Sequence, residues 1–300
     1  MDKVKKEGLE MRYVYVCLLV FVLYFTQIEQ TFALQNISAQ NAVLIHQDTG
    51  EILFEKNAKQ KESIASITKV MTAIIAIESG LLEKETTVSR KAIYTEGSSI
   101  YLEEGQKVKI RDLLYGLMLR SGNDAAIAIS EEVGSSEQGF VYLMNEKARW
   151  LGMDETHFSN PHGLESENHY STAYDMAKLM RYAMTNETFK EISGAKSYKP
   201  RHMTYEWGNK NKLLTEKYKH CTGGKTGYTE KAGRTLLTTA KKDEGELIAV
   251  TLNAPDDWND HIKMYDLGFQ KLAKSSMGDA TEPTFAKTAL SFFQQMLEVR

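Results

Sequence analysis

The sequence predicts an α+β fold, an α/β sandwich whose antiparallel sheet is built from strands near both ends of the chain around a central all-helical insertion. Three observations lead there. Near the start, Asn41–His46 and Ile52–Lys56 flank Asp48-Thr49-Gly50 and read as a hairpin. Between Ser66 and Met184 apolar residues recur at helical spacing. From Gly223 onward strand patterns return, over Gly223–Gly227, Thr235–Thr239 and Leu247–Leu252.

Ahead of the hairpin, Lys3, Lys5, Lys6 and Arg12 precede the apolar run Tyr13 to Phe25, and Ala33 closes the triplet Thr31-Phe32-Ala33. A positive region, a short apolar region and a small residue form the pattern of an export signal over residues 1–33, with Met11 as an alternative start. An uncleaved anchor is the rival reading, but the run is short against the roughly twenty residues that a membrane span takes. Export places the domain, residues 34–274, outside the cytoplasm. Of the two cysteines, Cys17 lies in the signal. Cys221, paired by no pattern with a histidine, reads as a small buried hydrophobe.

The helices follow in order. Ser66 opens the most apolar stretch, with Val70, Met71, Ala73, Ile74, Ile75 and Ile77, closed by Gly80. Arg111–Leu119 is a second helix, and Asp124–Val133 a third that stops at Gly134. Phe140, Leu143, Met144 and Ala148 mark a fourth, and Thr172–Met184 another. Asn160-Pro161-His162-Gly163 is a loop by its breakers. After the last strand, Trp258–Leu272 closes the domain as a helix, and Ser275-Ser276-Met277-Gly278 breaks it from a tail, residues 275–300.

Thirty-seven basic against forty acidic residues leave a net charge of −3 and no basic stripe, which argues against nucleic-acid binding. Lys210, Lys212, Lys217 and Lys219 read as a solvated face. The seven histidines show no zinc-ligand spacing, and no metal or organic cofactor is expected.

Three short motifs carry chemistry. In Ser66-Ile67-Thr68-Lys69 a residue three positions on shares a helix face with the serine, which brings an amine back towards the hydroxyl. Acyl transfer needs such a nucleophile and base, and the lysine must be neutral to act. The same spacing recurs in Ser193-Gly194-Ala195-Lys196, where no helix is evident; the buried helix behind Ser66 is what separates the two. Ser121-Gly122-Asn123 lies between two helices, and the competing explanation is plain N-capping of the next helix by Ser121 or Asn123. Ser166-Glu167-Asn168 repeats its spacing. Lys225-Thr226-Gly227 is unique, in a strand where Gly227 permits close approach; the alternative is a solvent-facing strand lysine.

The order Ser66, Ser121, Lys225 resembles the signature of penicillin-binding proteins and serine β-lactamases. In finer detail the chain is similar to the low-molecular-mass D-Ala-D-Ala carboxypeptidases, peptidase family S11, and within them to sporulation-associated members. The stretches that carry this are Ile64–Ala73, Leu119–Ala126, Asn160–Leu164 and Gly224–Gly233, and the likeness spans roughly Gln40 to Lys274. It implies that Ser66 attacks the penultimate D-Ala carbonyl of peptidoglycan stem peptides, that Lys69 takes its proton, and that Ser121 relays it to the leaving amine. Asn123 would bind the substrate amide; Lys225 and Thr226 would hold the terminal carboxylate, with Lys225 keeping Lys69 neutral. The amides of Ser66 and Tyr228, beside Gly227, would form the oxyanion hole. β-Lactam antibiotics would acylate the same serine.

Two departures stand out. Where relatives often carry an arginine in an Asn-x-Asn-x-Leu-Leu segment, Lys210 occupies Asn209–Leu214, a point charge instead of a bidentate fork. Many relatives also add a β-rich domain, for which residues 275–300 are too short, and an amphipathic anchor. In that tail Phe285, Ala289, Phe292, Phe293, Met296 and Leu297 recur at helical spacing, yet only Lys287 and Arg300 are basic. Docking or truncation is therefore expected ahead of membrane-surface association. A class A β-lactamase would need Glu-x-x-Leu-Asn between Ser121 and Lys225, and none occurs. A silent β-lactam sensor, a D,D-endopeptidase and a transpeptidase remain alternatives.

Overall fold

The computed structural model describes residues 37–201 and 205–275. The export signal and the tail beyond Ser275 lie outside the described residues.

Strands β1 (Asn41–His46) and β2 (Ile52–Lys56) form the expected hairpin. A 3-10 turn, Ala65–Thr68, runs into α1 (Lys69–Glu78), which is followed by β3 (Glu85–Thr87), α2 (Arg90–Ile93), β4 (Lys107–Lys109) and α3 (Ile110–Tyr115). A π-type turn, Gly116–Arg120, leads to α4 (Asn123–Val133) and α5 (Glu137–Trp150). Next come α6 (Ala173–Ala183), α7 (Glu187–Gly194), β5 (Ser197–Tyr198) and β6 (Trp207–Gly208). The sheet strands β7 (Cys221–Thr229), β8 (Gly233–Lys242) and β9 (Gly245–Leu252) follow, and α8 spans residues 257–275.

The five-stranded sheet has the order β2-β1-β9-β8-β7, antiparallel throughout, so the first hairpin joins the last strands along β9. β1 and the end of β9 read as continuous apolar runs because helices cover both faces. On one face α6 packs over β1 and β9. On the other, Gly268 of α8 lies so close that a Cβ there would come within 2.7 Å of Leu44 and Leu247. α1 is buried from Lys69 to Ile77, as a helix enclosed by others must be, and Gly80, at φ +74°, ends it.

Several expectations need correction. The helix over Arg111–Leu119 is two pieces, because the backbone widens into the π turn before the left-handed Ser121. Leu143 points outward, 38% exposed; the fully buried residues of α5 are Phe140, Met144 and Ala148, with Val141 partly buried beside them. Ser193 does belong to a helix, α7, whose N-cap Asn186 accepts from the Phe189 amide. It sits at the helix's C-terminal end, fully buried, with its hydroxyl on the Lys190 carbonyl at 3.4 Å, so it has neither the N-terminal field nor the access of Ser66.

Candidate active site

The nucleophile candidate emerges from packing. Ala65 takes a left-handed φ of +48°, which turns the chain sharply before Ser66. Thr235 of β8 donates to the Ile64 carbonyl at 3.0 Å and ties this turn to the sheet. Gly227 of β7 fits against it: a Cβ there would lie 2.4 Å from Thr235 Oγ1 and 2.9 Å from the Ser66 amide nitrogen. The glycine thus admits the nucleophile's own turn, in addition to any ligand.

Lys69 is fully buried and donates to Asn123 Oδ1 (2.7 Å) and the His162 carbonyl (2.5 Å), while its Nζ lies 3.0 Å from Ser66 Oγ. Burial drives its pKa well below the usual lysine value, and the ammoniums of Lys225 and Lys210 push it further. Lys225, 1% exposed, donates to Ser121 Oγ at 3.1 Å and to the Thr226 carbonyl at 2.7 Å. Its pKa falls to about 7, through burial first and Lys210 second.

Ser121 adopts φ +67° and caps nothing; Gly122 holds the N-cap position of α4 without a side-chain bond, which disposes of the capping explanation. The asparagine likewise looks inward, its Nδ2 donating to the Glu96 carbonyl at 2.6 Å. The neighbouring Asp124, 1% exposed, accepts from Ser99 Oγ and the amides of Ile100 and Leu102, clamping the loop beside the cleft.

A cleft of about 300 Å³ receives Ser66, Ser121, Thr226, Gly227 and Tyr228, together with Lys210. Lys210 reaches this cleft while staying exposed like its neighbours Lys212, Lys217 and Lys219, so it is the member of that solvated group that also faces the site. Its Nζ lies 3.4 Å from Ser98 Oγ, and burial lowers its pKa. Ser166-Glu167-Asn168 is an exposed loop outside the cleft, and Cys221 is buried, its thiol pushed up to about 11 by that burial.

Two parts of the site went unassigned in the sequence. Arg234 lines the same cleft opposite Tyr228 in the β7–β8 register, paired with Asp257 at 2.7 Å and lying over the Trp258 ring. The Asn160–Leu164 loop, noted only as a breaker and a family match, supplies the carbonyl that receives Lys69 and, through Pro161, the one that receives Thr72 at 2.6 Å. Asn160 shapes that loop by accepting from the amides of His162 and Gly163. Among the described residues no three His, Cys, Asp or Glu side chains gather as a metal site would require.

An antiparallel sheet backed by helices, with a serine beside a buried lysine and a strand lysine facing it, is the framework of the DD-peptidase and penicillin-binding protein fold. The solved D-alanyl-D-alanine carboxypeptidase of Mycobacterium tuberculosis H37Rv superposes with a TM-score of 0.74 at 29% identity, covering 78% of this chain and 92% of that one. A mutant of the Streptomyces K15 DD-transpeptidase gives 0.75 at 31% identity, covering 78% and 99%. Residues 27–256 match the peptidase S11 D-alanyl-D-alanine carboxypeptidase model, and the chain belongs to that family. DacF of Bacillus subtilis is 37% identical over 243 residues, 78% of this chain and 62% of the relative. DacD of Escherichia coli is 36% identical over 230 residues, 73% and 59%. The matches with these two relatives thus span about three fifths of their length.

Proposed function

We propose that the chain is a serine-type D-Ala-D-Ala carboxypeptidase that removes the terminal D-Ala from peptidoglycan stem pentapeptides through an acyl-enzyme on Ser66, and that β-lactams acylate the same serine. The observation that carries this reading is Lys69 Nζ, buried, depressed in pKa and 3.0 Å from Ser66 Oγ. A neutral amine at that distance is a general base for the hydroxyl.

In this mechanism Ser66 Oγ adds to the penultimate D-Ala carbonyl carbon as Lys69 takes its proton. The Ser66 and Tyr228 amides receive the oxyanion, stabilisation of a kind whose loss typically costs about a hundredfold or more in rate. The C–N bond then breaks as Ser121, held by Lys225, gives its proton to the departing amine and takes the one Lys69 had accepted, which returns Lys69 to its neutral form. Asn123, with one amide proton on Glu96, offers its second to the substrate amide. Lys225, Thr226 and Arg234 hold the terminal carboxylate, with Lys210 at the same cleft. Water deacylates Ser66 with Lys69 again as base. The exported location and a sporulation-stage role, both expected from the sequence, belong to this proposal; the substrate's place outside the membrane and the pattern of residues 1–33 support export.

The test is release of free D-Ala from a diacetyl-Lys-D-Ala-D-Ala peptide, together with a fluorescent penicillin adduct mapped by mass spectrometry. An adduct on Ser193, or undiminished labelling of Ser66→Ala, would sink the assignment. The likeness to the Streptomyces K15 DD-transpeptidase favours one further reading, transfer of the acyl group to an amine. Adding an amine acceptor distinguishes them: transpeptidation yields a new amide at the expense of free acid.

A further inference from the structure

The residue before the nucleophile is alanine in a left-handed conformation, and such strain persists only where the surroundings impose it. Its carbonyl shows what does so. Ala65 O accepts from Thr68 Oγ1 at 2.8 Å, and that hydroxyl lies 2.8 Å from His169 Nε2. His169 Nδ1 receives the Ser159 amide at 3.1 Å. Thr68 and His169 are buried, at 0% and 4% exposure.

Counting protons fixes the direction of every bond. The single hydroxyl proton of Thr68 goes to Ala65, so the hydroxyl must accept from His169 Nε2–H. The other ring nitrogen accepts an amide and carries no proton. The imidazole is therefore neutral and of one tautomer; burial, with His157 and Lys69 adding to it, lowers its pKa to about 4. Its segment is tied to the chain just ahead of the turn, since Glu62 and Ser171 exchange backbone bonds of 2.8 and 3.1 Å. Gly163 closes the other side, where a Cβ would stand 2.1 Å from Ala65 O.

We propose that His169 is a positioning residue for the nucleophile: by donating to Thr68 it orients the hydroxyl that holds the Ala65 carbonyl, and so aims Ser66 Oγ at Lys69. The proposal rests on Ser66 as the acylated residue. His169 touches no reacting atom, and its effect travels through Thr68 alone.

A double-mutant cycle tests this on the full chain, reading the penicillin acylation rate and the melting temperature of each variant. Misaiming a reacting group by about an ångström costs on the order of a hundredfold. Thr68→Val and His169→Ala are each expected to slow acylation about tenfold or more, and the double variant to be no slower than the worse single one. His169→Gln, whose amide nitrogen stands near the Nε2 position, recovers much of the rate, and Thr68→Ser recovers it relative to Thr68→Val. Additive losses in the cycle, an unaffected His169→Ala, or rates that simply follow melting temperature across the set would each refute the proposal. Should His169→Ala not fold, the cycle of Thr68→Val with His169→Gln decides: a residual rate loss from His169→Gln that persists on Thr68→Val refutes it. Labelling of Ser66→Ala, run alongside, would separately refute Ser66 as the acylated residue.

Discussion

Lys225 Nζ donates to Ser121 Oγ over 3.1 Å, joining a strand residue to a loop residue 104 positions earlier. Both sit in the company of Lys69, and the crowding of amines in so dry a place is what tunes the site. Two fully buried lysines, with a third at the rim of the cleft, strongly disfavour being cations together.

That crowding sets a pH profile. Lys69 must be neutral to act as base, so activity rises as it loses its proton. Lys225 must be charged to hold a carboxylate, and with a folded pKa of about 7 it loses that charge as pH climbs. For the free enzyme, kcat/KM should fall as pH passes through about 7 on the alkaline side. A peptide ending in a carboxamide should lack this limb. The check is kcat/KM from pH 5 to about 9 with both substrates, and an identical alkaline limb for the two would remove Lys225 from carboxylate binding.

In the proposed mechanism Ser121 would combine a proton-relay role with backbone strain. Its left-handed backbone costs a non-glycine residue about 1 kcal/mol or more. Ser121→Gly should therefore melt no lower than wild type while acylating roughly a hundredfold more slowly, since the hydroxyl is gone. Calorimetry and penicillin acylation on one preparation test the pair of statements; unimpaired acylation would exclude Ser121 from the proton path.

Arg234 offers the cleft a planar guanidinium fork that fits a carboxylate. Arg234→Ala should raise KM for a carboxylate-terminated peptide about tenfold and leave the carboxamide analogue unchanged, with Arg234→Lys in between. Steady-state kinetics on both peptides measure it. Equal losses on the two would mean that Arg234 serves packing with Asp257 and Trp258 only.

Acid should weaken the fold before most carboxylates titrate. His162, His169 and His261 are buried, with folded pKa values of about 3, 4 and 3 against an ordinary 6.5. The unfolded chain binds more protons across that window, so stability is full above about 6.5 and declines as pH drops towards 3. Denaturant midpoints at pH 7, 6 and 5 are expected to fall in that order, and a flat series would contradict the burial of these rings.

What could be seen in the sequence follows from which interactions are local. The first hairpin, the apolar helix behind Ser66 and the strand of Lys225 each announce themselves within a few residues. The three-residue strands Glu85–Thr87 and Lys107–Lys109 are too short to display a period. Arg234 was within reach: carrying the antiparallel register past Glu230-Lys231-Ala232 sets it opposite Tyr228. His169 was not, for its partner Thr68 lies 101 residues away and no spacing rule links them.

The order of the sheet bears on how such a chain is made. β1, paired on one side with β2, finds its other neighbour in β9, with Asn41 opposite Leu252, so the opening hairpin has an unpaired edge until nearly the whole domain has been synthesised. Closing so long a loop makes folding slow, and the exposed edge invites association meanwhile. A ribosome-bound fragment ending before residue 245 would hold Ser66, Ser121 and Lys225 yet lack the strand that brings the first hairpin to the other two sheet strands. Reactivity towards penicillin should then switch on late and abruptly during synthesis, in place of growing with chain length.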